Sequence, residues 1–149
     1  MQLTRHTDFS LRVLIYLALI KENELVTISE ISEHFNILKN HLTKVVNHLS
    51  QEGFIKTIRG KNGGIRLARK PNEINLGKVV RAMEMNMEII DCAKPVCPLT
   101  GFCDLKGILN QAQQSFLTTL DKYTLADLNN QPQQVKSLLQ WPVKESFQK

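Results

Sequence analysis

The segment from residue 27 to residue 68 constrains the fold most, because start and stop signals for two helices and two strands follow one another closely. The sequence Thr-Ile-Ser-Glu at residues 27–30 matches the capping box that opens a helix, which we expect to continue through Phe35. A second helix is predicted over residues 39–53, with Gly53 as its C-cap. Two helices joined by the three-residue turn 36–38 predict a helix-turn-helix.

The second predicted helix has one apolar face and one polar face. Its apolar residues recur at the i, i+3, i+4, i+7 spacing of a buried helical stripe and are Leu42, Val45, Val46 and Leu49. In a helix-turn-helix the second helix contacts base edges in the major groove of DNA. The candidate DNA contacts on this helix are Lys39, Asn40, His41 and Lys44. A solvated polar face without a partner is the alternative.

A basic β-hairpin is predicted directly after this helix. Residues 54–59 and 65–68 are rich in β-forming residues, and the segment between them contains the Asn-Gly step typical of hairpin turns. A hairpin in this position is the wing of a winged helix. Its candidate contacts to phosphate or to the minor groove are Arg59, Lys61 and Arg66, and a merely solvated hairpin is the alternative.

Positive charge is concentrated in the same region. Residues 39–70 contain eight Lys or Arg and a single acid, Glu52, which gives this segment a charge of +7. Because the whole chain carries +5, the remainder carries −2. Such a charge distribution is typical of a protein that binds a polyanion such as double-stranded DNA. No apolar run of 18 residues and no signal-peptide pattern is present, so we expect a cytoplasmic protein with no membrane partner.

All three cysteines lie in one short segment, at Cys92, Cys97 and Cys103. Two prolines and a glycine between them predict a loop rather than a helix. Thiolate is a soft ligand that selects iron-sulfur clusters, zinc or Cu(I), and clustered cysteines in a reducing compartment bind metal more often than they form disulfides. We therefore predict a loop that points three sulfurs at one metal centre. Three unliganded cysteines, or one disulfide with a spare thiol, are the alternatives.

Helices are also predicted on both sides of these motifs. Residues 7–20 are expected to form a largely buried first helix capped by Thr7 or Asp8, and Asn75 is expected to cap a helix over residues 76–85. After the cysteines, one apolar stripe runs along a predicted long helix: Leu105, Ile108, Leu109, Ala112, Phe116, Leu120 and Tyr123. Such a helix on a small domain usually packs against its copy, so we expect a homodimer; packing on its own domain is the alternative.

The predicted fold class is therefore mainly α with a small β-hairpin. Its winged helix-turn-helix DNA-binding domain covers residues 1–75, and the cysteine cluster loop with the dimerisation helix covers residues 76–128. The tail at residues 129–149 is rich in Gln and Lys and is expected to be loosely ordered.

This order of elements, with the wing sequence Arg-Gly-Lys-Asn-Gly-Gly at residues 59–64, resembles the iron-sulfur winged-helix regulators typified by IscR and NsrR, up to about residue 130. The nitric-oxide-sensing branch is the closer likeness, because the cluster-assembly branch carries a histidine where this chain has Lys106. The resemblance implies a repressor, not an enzyme, that binds palindromic operator DNA as a homodimer. Nitric oxide as effector would nitrosylate the cluster and release the DNA.

The expected cofactor is an iron-sulfur cluster, with [4Fe-4S] favoured over [2Fe-2S], and its fourth ligand is not a cysteine. A cuboidal cluster is normally held by four cysteines, and this chain has three. A carboxylate, water, a small thiol or a residue from elsewhere must fill the last position. The resemblance implies that Asp8 does so, from the same subunit or across the dimer, whereas capping of the first helix is its alternative role.

Three other functions are compatible with parts of the sequence. A regulator of the same family could sense cluster supply or redox state instead of nitric oxide. A zinc-stabilised DNA-binding module would use the three thiolates plus Asp8 or a histidine. A cysteine-based enzyme or thiol-disulfide oxidoreductase is disfavoured, because the chain has no Cys-x-x-Cys motif and no histidine near the cysteines.

Overall fold

The computed structural model describes residues 2–139, which form six α-helices and one antiparallel β-hairpin. In chain order the elements are α1 (Arg5–Ala18), α2 (Ile28–Phe35), α3 (Lys39–Gln51), β1 (Ile55–Ile58), β2 (Gly64–Leu67), α4 (Leu76–Met83), α5 (Asp104–Leu120) and α6 (Pro132–Leu138). Two 3₁₀ turns, Pro71–Glu73 and Leu125–Asn129, precede α4 and follow α5. The predicted helical fold with a helix-turn-helix and a hairpin is confirmed. None of the described helices is long and apolar enough to cross a membrane.

The helix-turn-helix is built from the local signals that predicted it. The Thr27 hydroxyl accepts a hydrogen bond from the Glu30 N–H at 3.2 Å, and the Glu30 carboxylate accepts one from the Thr27 N–H at 2.7 Å. Asn36 ends α2 in the left-handed region, with φ of 50°. The Ser32 hydroxyl donates to the Ile37 carbonyl at 2.6 Å and the Ile37 N–H donates back to the Ser32 carbonyl at 3.1 Å, so the turn is fixed from both sides.

The end of α3 leads directly into the wing. The Phe54 N–H donates to the Leu49 carbonyl and the Gly53 N–H to the Ser50 carbonyl, the two bonds of a Schellman motif. Gly53 adopts φ of 73°, which a residue with a side chain rarely accepts. The strands β1 and β2 then pair with Ile55 opposite Leu67 and Lys56 opposite Arg66. The wing therefore has a defined position relative to α3.

The core lies where α1, α2, α3, the base of the hairpin and α4 meet. All four apolar residues predicted for the inner face of α3 are buried. The largest fully buried side chains of the domain include Leu14, Ile31, Leu42, Leu49, Ile55, Ile65, Ile74, Met83 and Leu125. These residues lie in α1, α2, α3, both strands, α4, the residue before its cap and the 3₁₀ turn after α5, and these parts of the chain share one core.

The start of α1 differs from the prediction. Thr4 is the N-cap, and its hydroxyl accepts a hydrogen bond from the Thr7 N–H at 3.3 Å. The expectation that Thr7 or Asp8 caps this helix is therefore wrong, because a threonine three residues earlier provides the same acceptor. Helix α4 has the predicted N-cap, Asn75, and ends at Met83 rather than at residue 85.

The C-terminal end of α5 is anchored to the start of α4. The Asn75 amide donates to the carbonyls of Asp121 and Tyr123 at 2.7 and 3.3 Å. Arg81 donates through both terminal nitrogens to the Asp121 carboxylate, at 2.6 and 2.7 Å, which lowers the pKa of that carboxyl. Helix α5 is therefore held at its far end, while its beginning follows the cysteine loop.

The described part of the predicted tail contains one helix. Residues Pro132–Leu138 form α6, and Leu139 packs against the core. The Leu139 carbonyl lies 2.8 Å from Nδ1 of His34, so this segment is attached to α2. The rest of the predicted tail, residues 140–149, lies outside the described residues.

Replacement of Thr27 by alanine should lower the free energy of unfolding by about 1 kcal/mol, because α2 then loses its capping box. Urea denaturation of the wild type and of Thr27→Ala measures the difference. Thr43→Ala is the matched control, because the Thr43 hydroxyl donates only to the Lys39 carbonyl of its own helix. Equal loss in both variants would contradict the capping role of Thr27.

Candidate nucleic-acid interface and cysteine loop

The first turns of α3 carry an exposed, positively charged surface. The four predicted contacts Lys39, Asn40, His41 and Lys44 are all exposed, while the apolar residues of the same helix are buried. No acidic residue occurs in α3, and Glu52 follows its last residue. The N-terminal end of a recognition helix is the part that contacts base edges, so this surface has the position and the charge for DNA.

Two ring contacts join the first turns of α1 to α3, one of them through the exposed His41. The Phe9 ring stacks on the His41 ring at a centroid distance of 6.2 Å and an angle of 21°. Nε2 of His6 lies 2.9 Å from Nδ1 of His48, a hydrogen bond between α1 and the last turns of α3. Burial lowers the pKa of His6, and His48 lowers it further against an opposing effect of Glu84. A displacement of α1 as a rigid body would therefore shift α3 through these two contacts.

The tip of the wing places two cations in solvent. Arg59 and Lys61 are exposed on either side of Gly60, which adopts φ of 112°. A Cβ atom at Gly63 would lie 2.2 Å from the Ile58 carbonyl oxygen, so the turn can close only with glycine there. The glycine-rich sequence thus allows a tight tip on which both cations remain accessible.

Arg66, the third candidate on the wing, has a different environment. It is half-buried on β2, opposite Lys56, and a terminal nitrogen donates to the Asn23 side-chain oxygen. Its Nε is buried without a hydrogen-bond partner among the described residues. The structure therefore brings Arg59 and Lys61 together at the tip but leaves Arg66 halfway down the hairpin.

Local turns close the cysteine loop at residues 92–103, while Glu84, near the beginning of the segment between α4 and α5, accepts a hydrogen bond from the Thr4 N–H at 2.6 Å. The Cys97 N–H donates to the Cys92 carbonyl, and both the N–H and the hydroxyl of Thr100 donate to the Cys97 carbonyl, at 2.7 to 3.1 Å. Cys103 is the N-cap residue of α5 and makes no side-chain capping bond. All three cysteines are partly exposed and free of disulfide bonds. The predicted loop is confirmed. The three cysteines are free, so the structure does not have the disulfide of the alternative.

The predicted convergence of ligands is not visible in the single chain. Within residues 2–139, no three His, Cys, Asp or Glu side chains lie close enough together to hold a metal ion. The donor set nevertheless fits an iron-sulfur cluster, because three free thiols lie in one partly exposed loop.

Asp8 lies in the first turn of α1 and forms an ion pair rather than a cap. Its carboxylate accepts from Nε of Arg12 at 3.0 Å and contacts Nη2 of Arg12 at 2.8 Å, with both side chains 43% exposed. Arg12 also lies 5.9 Å from the centre of the Phe9 ring. Arg12 was missed in the sequence analysis, although an acid and an arginine four residues apart on a helix indicate such a pair.

The apolar stripe of α5 is left largely uncovered. Ile108 is 61% exposed, Leu105 is 52% exposed, and Phe102 just before the helix is 96% exposed. Leu117, which was not part of the predicted stripe, is the buried residue of α5. Within the stripe, Leu109, Phe116 and Leu120 are partly buried in the described chain, whereas the residues at the beginning of α5 are exposed. Exposed apolar surface of this kind usually marks an interaction site.

Comparison with known proteins gives consistent results. A family model described as Rrf2, iron-dependent transcriptional regulator, matches residues 3–131. The chain is 46% identical over 142 residues to a Bacillus subtilis (strain 168) protein named HTH-type transcriptional regulator NsrR, covering 93% of this chain and 97% of the relative. A protein of the same name from Shouchella clausii (strain KSM-K16) is 43% identical over 148 residues, covering 97% and 99%.

Two solved structures have the same fold at low sequence identity. CymR (YrzC), the global cysteine regulator of B. subtilis, superposes with a TM-score of 0.71 at 23% identity, covering 86% of this chain and 95% of that chain. IscR of T. potens superposes with a TM-score of 0.72 at 23% identity, covering 91% of each chain. These similarities confirm the predicted winged helix-turn-helix fold.

Replacement of Asp8 by asparagine should change the free energy of unfolding by less than about 1 kcal/mol, because an exposed pair four residues apart on a helix contributes little. Urea denaturation of the metal-free protein measures this. Arg12→Gln, which removes the same pair from the other side, is the matched variant. A loss above 2 kcal/mol in both would show that the pair is structural.

Proposed function

Because the chain belongs to the Rrf2 family of iron-dependent transcriptional regulators, we propose that it is a homodimeric repressor that releases palindromic operator DNA in response to nitric oxide. Membership in the family makes the chain a DNA-binding transcription regulator and confirms that it is not an enzyme. The observation that carries the proposal is the exposed basic surface formed by α3 and the wing tip, in a chain that also carries a loop with three free thiols.

The DNA contacts follow from exposure and position. Lys39, Asn40, His41 and Lys44 are exposed at the beginning of α3 and can enter the major groove, where amide and cationic groups recognise base edges. Arg59 and Lys61 at the wing tip can reach the backbone phosphates or the minor groove on either side. Arg66 remains a candidate, provided that it exchanges its bond to Asn23 for a phosphate.

Dimerisation is inferred from the uncovered stripe of α5. Leu105 and Ile108 expose apolar area that is buried when α5 packs against the same helix of a second copy. A twofold axis along this pair would place two α3 helices on two half-sites in opposite orientation. The operator that matches such a dimer is a palindrome.

We infer that the thiolates of Cys92, Cys97 and Cys103 hold an iron-sulfur cluster, with [4Fe-4S] favoured. Asp8 is the proposed fourth ligand, because its carboxylate is 43% exposed and an arginine in the same helix accounts for its present contacts. If Asp8 instead binds metal, Arg12 loses its ion pair and the contacts of Phe9 can change. A bound cluster would supply iron centres with which nitric oxide reacts, as the resemblance to the nitric-oxide-sensing branch implies.

The cysteine loop can transmit the state of its ligand because of where it is attached. Cys103 is the residue directly before α5, and Asp8 is one residue from Phe9, which stacks on α3. The conformation of the cysteine loop therefore affects the position of α5, the proposed dimerisation helix. Through Asp8 and Phe9 it also affects the position of α3. A coupling of this kind needs only a difference in loop conformation between the two states.

Neutralisation of the wing tip should flatten the salt dependence of DNA binding. In Lys61→Ala, the slope of log affinity against log salt concentration should fall by about one unit, because one phosphate contact is lost. Fluorescence anisotropy with a labelled operator duplex at several salt concentrations measures the slope. Lys122→Ala, an exposed lysine just after α5, is the matched control and should leave the slope unchanged.

The ligand assignment predicts distinct effects of two variants. Anaerobically purified wild type should contain iron and sulfide and absorb visible light. Cys97→Ser should contain neither iron nor sulfide, and Asp8→Ala should bind its cluster less stably. Glu88→Ala is the control, because this exposed carboxylate lies in the same segment as the cysteines. A colourless zinc protein would favour the zinc-stabilised alternative.

Nitric oxide tests the sensing part of the proposal. We expect cluster-loaded wild type to lose operator affinity after treatment with nitric oxide, as measured by anisotropy under anaerobic conditions. Unchanged affinity would exclude nitric oxide as the effector. If affinity then fell on chelation of iron or on oxidation alone, a regulator of cluster supply or redox state would be favoured instead.

A further inference from the structure

Leu38, the residue directly before α3, is exposed although it is large and apolar. Its side chain is 71% exposed, whereas its neighbour Ile37 is buried. Within the described chain it is not part of the hydrophobic core. A single exposed leucine is common on protein surfaces, so its position must decide whether it has a role.

This position is one where leucine is unfavourable for folding. Leu38 is the N-cap of α3, and its side chain makes no capping hydrogen bond. Ser, Thr, Asp and Asn are the preferred N-caps, and leucine is among the poorest. The other helices that bound the core show the usual pattern, with caps at Thr4, Thr27 and Asn75. A residue that departs from the local N-cap preference in an otherwise consistent fold indicates a functional position.

The backbone at Leu38 is held in one place. The preceding turn is fixed by the two hydrogen bonds between Ser32 and Ile37. The Leu38 carbonyl accepts hydrogen bonds from the N–H groups of His41 and Leu42, at 3.0 and 3.3 Å. The side chain is therefore presented by a rigid element, beside the exposed Lys39 and Asn40. A rigid position is what a contact to one particular base requires.

We propose that Leu38 is a specificity-determining residue that contacts the C5-methyl group of a thymine in each operator half-site. The inference rests on the proposed function of α3 as the recognition helix. The thymine methyl is the apolar group on the base edges of the major groove, and a leucine cannot hydrogen bond to the other edges. Leu38 thereby distinguishes thymine from cytosine and fixes which strand carries it, while Lys39 and Asn40 contact polar edges.

The experiment removes the methyl group from the DNA and the leucine from the protein separately. The probe is a duplex selected in vitro from a randomised library by the wild-type protein. Each thymine of one half-site is then replaced in turn by deoxyuridine, which keeps the base pair and lacks the methyl. Wild type should lose about fourfold in affinity at one position, the factor expected for one apolar methyl contact.

Leu38→Ser is the informative variant, because serine is a good N-cap. Its thermal midpoint should rise by about 2 to 4 °C, and it should bind the thymine and deoxyuridine duplexes equally. A merely structural role of Leu38 would instead lower the midpoint. Leu138→Ser, which replaces another leucine that is 80% exposed, should keep the fourfold difference of the wild type.

The remaining outcomes overturn the proposal in distinguishable ways. If the wild type shows no deoxyuridine effect at any position, or Leu38→Ser shows the same effect as the wild type, Leu38 does not contact a thymine methyl, and DNA binding by α3 stands. If the wild type selects no sequence from the library, the proposed operator binding fails, and the assignment of Leu38 fails with it.

Discussion

The burial of the apolar face of α3 is the constraint on which the rest of the molecule depends. Leu42, Val45, Val46 and Leu49 are taken up by the core, and this burial sets which side of the helix faces solvent. Each of these side chains contributes roughly 1.5 to 3 kcal/mol when fully buried. The polar surface of α3 is exposed as a consequence, so the same packing that stabilises the domain also presents the proposed DNA contacts.

Helix α1 has two roles in this arrangement. Its apolar residues Val13, Leu14 and Leu17 fill the core, and its first turns contact α3 through aromatic and imidazole rings. The same turns carry Asp8, the residue we propose as a ligand to the cluster. A single helix thus lies between the proposed sensor and the recognition helix, and no long pathway is needed to connect them.

The C-terminal half is less complete as a single chain than the winged helix. Helix α5 is anchored at one end by Arg81 and Asp121 but leaves Leu105 and Ile108 in solvent. The cysteine loop before it makes turns of its own and brings no metal-ligating group together among the described residues. Both features fit the proposed homodimer with a bound cluster. The winged helix, in contrast, packs into a core that also includes Val79 and Met83 of α4 and Leu125.

Local signals in the sequence predicted the capping box at Thr27, the cap at Asn75, the glycine turn of the wing and the apolar period of α3. These could be predicted because they depend on residues within about four positions of one another. Packing between distant elements set the burial of Leu117, the half-burial of Arg66 and the exposure of Leu38. Those outcomes depend on which distant element covers a side chain, and a periodic pattern carries no information about that partner.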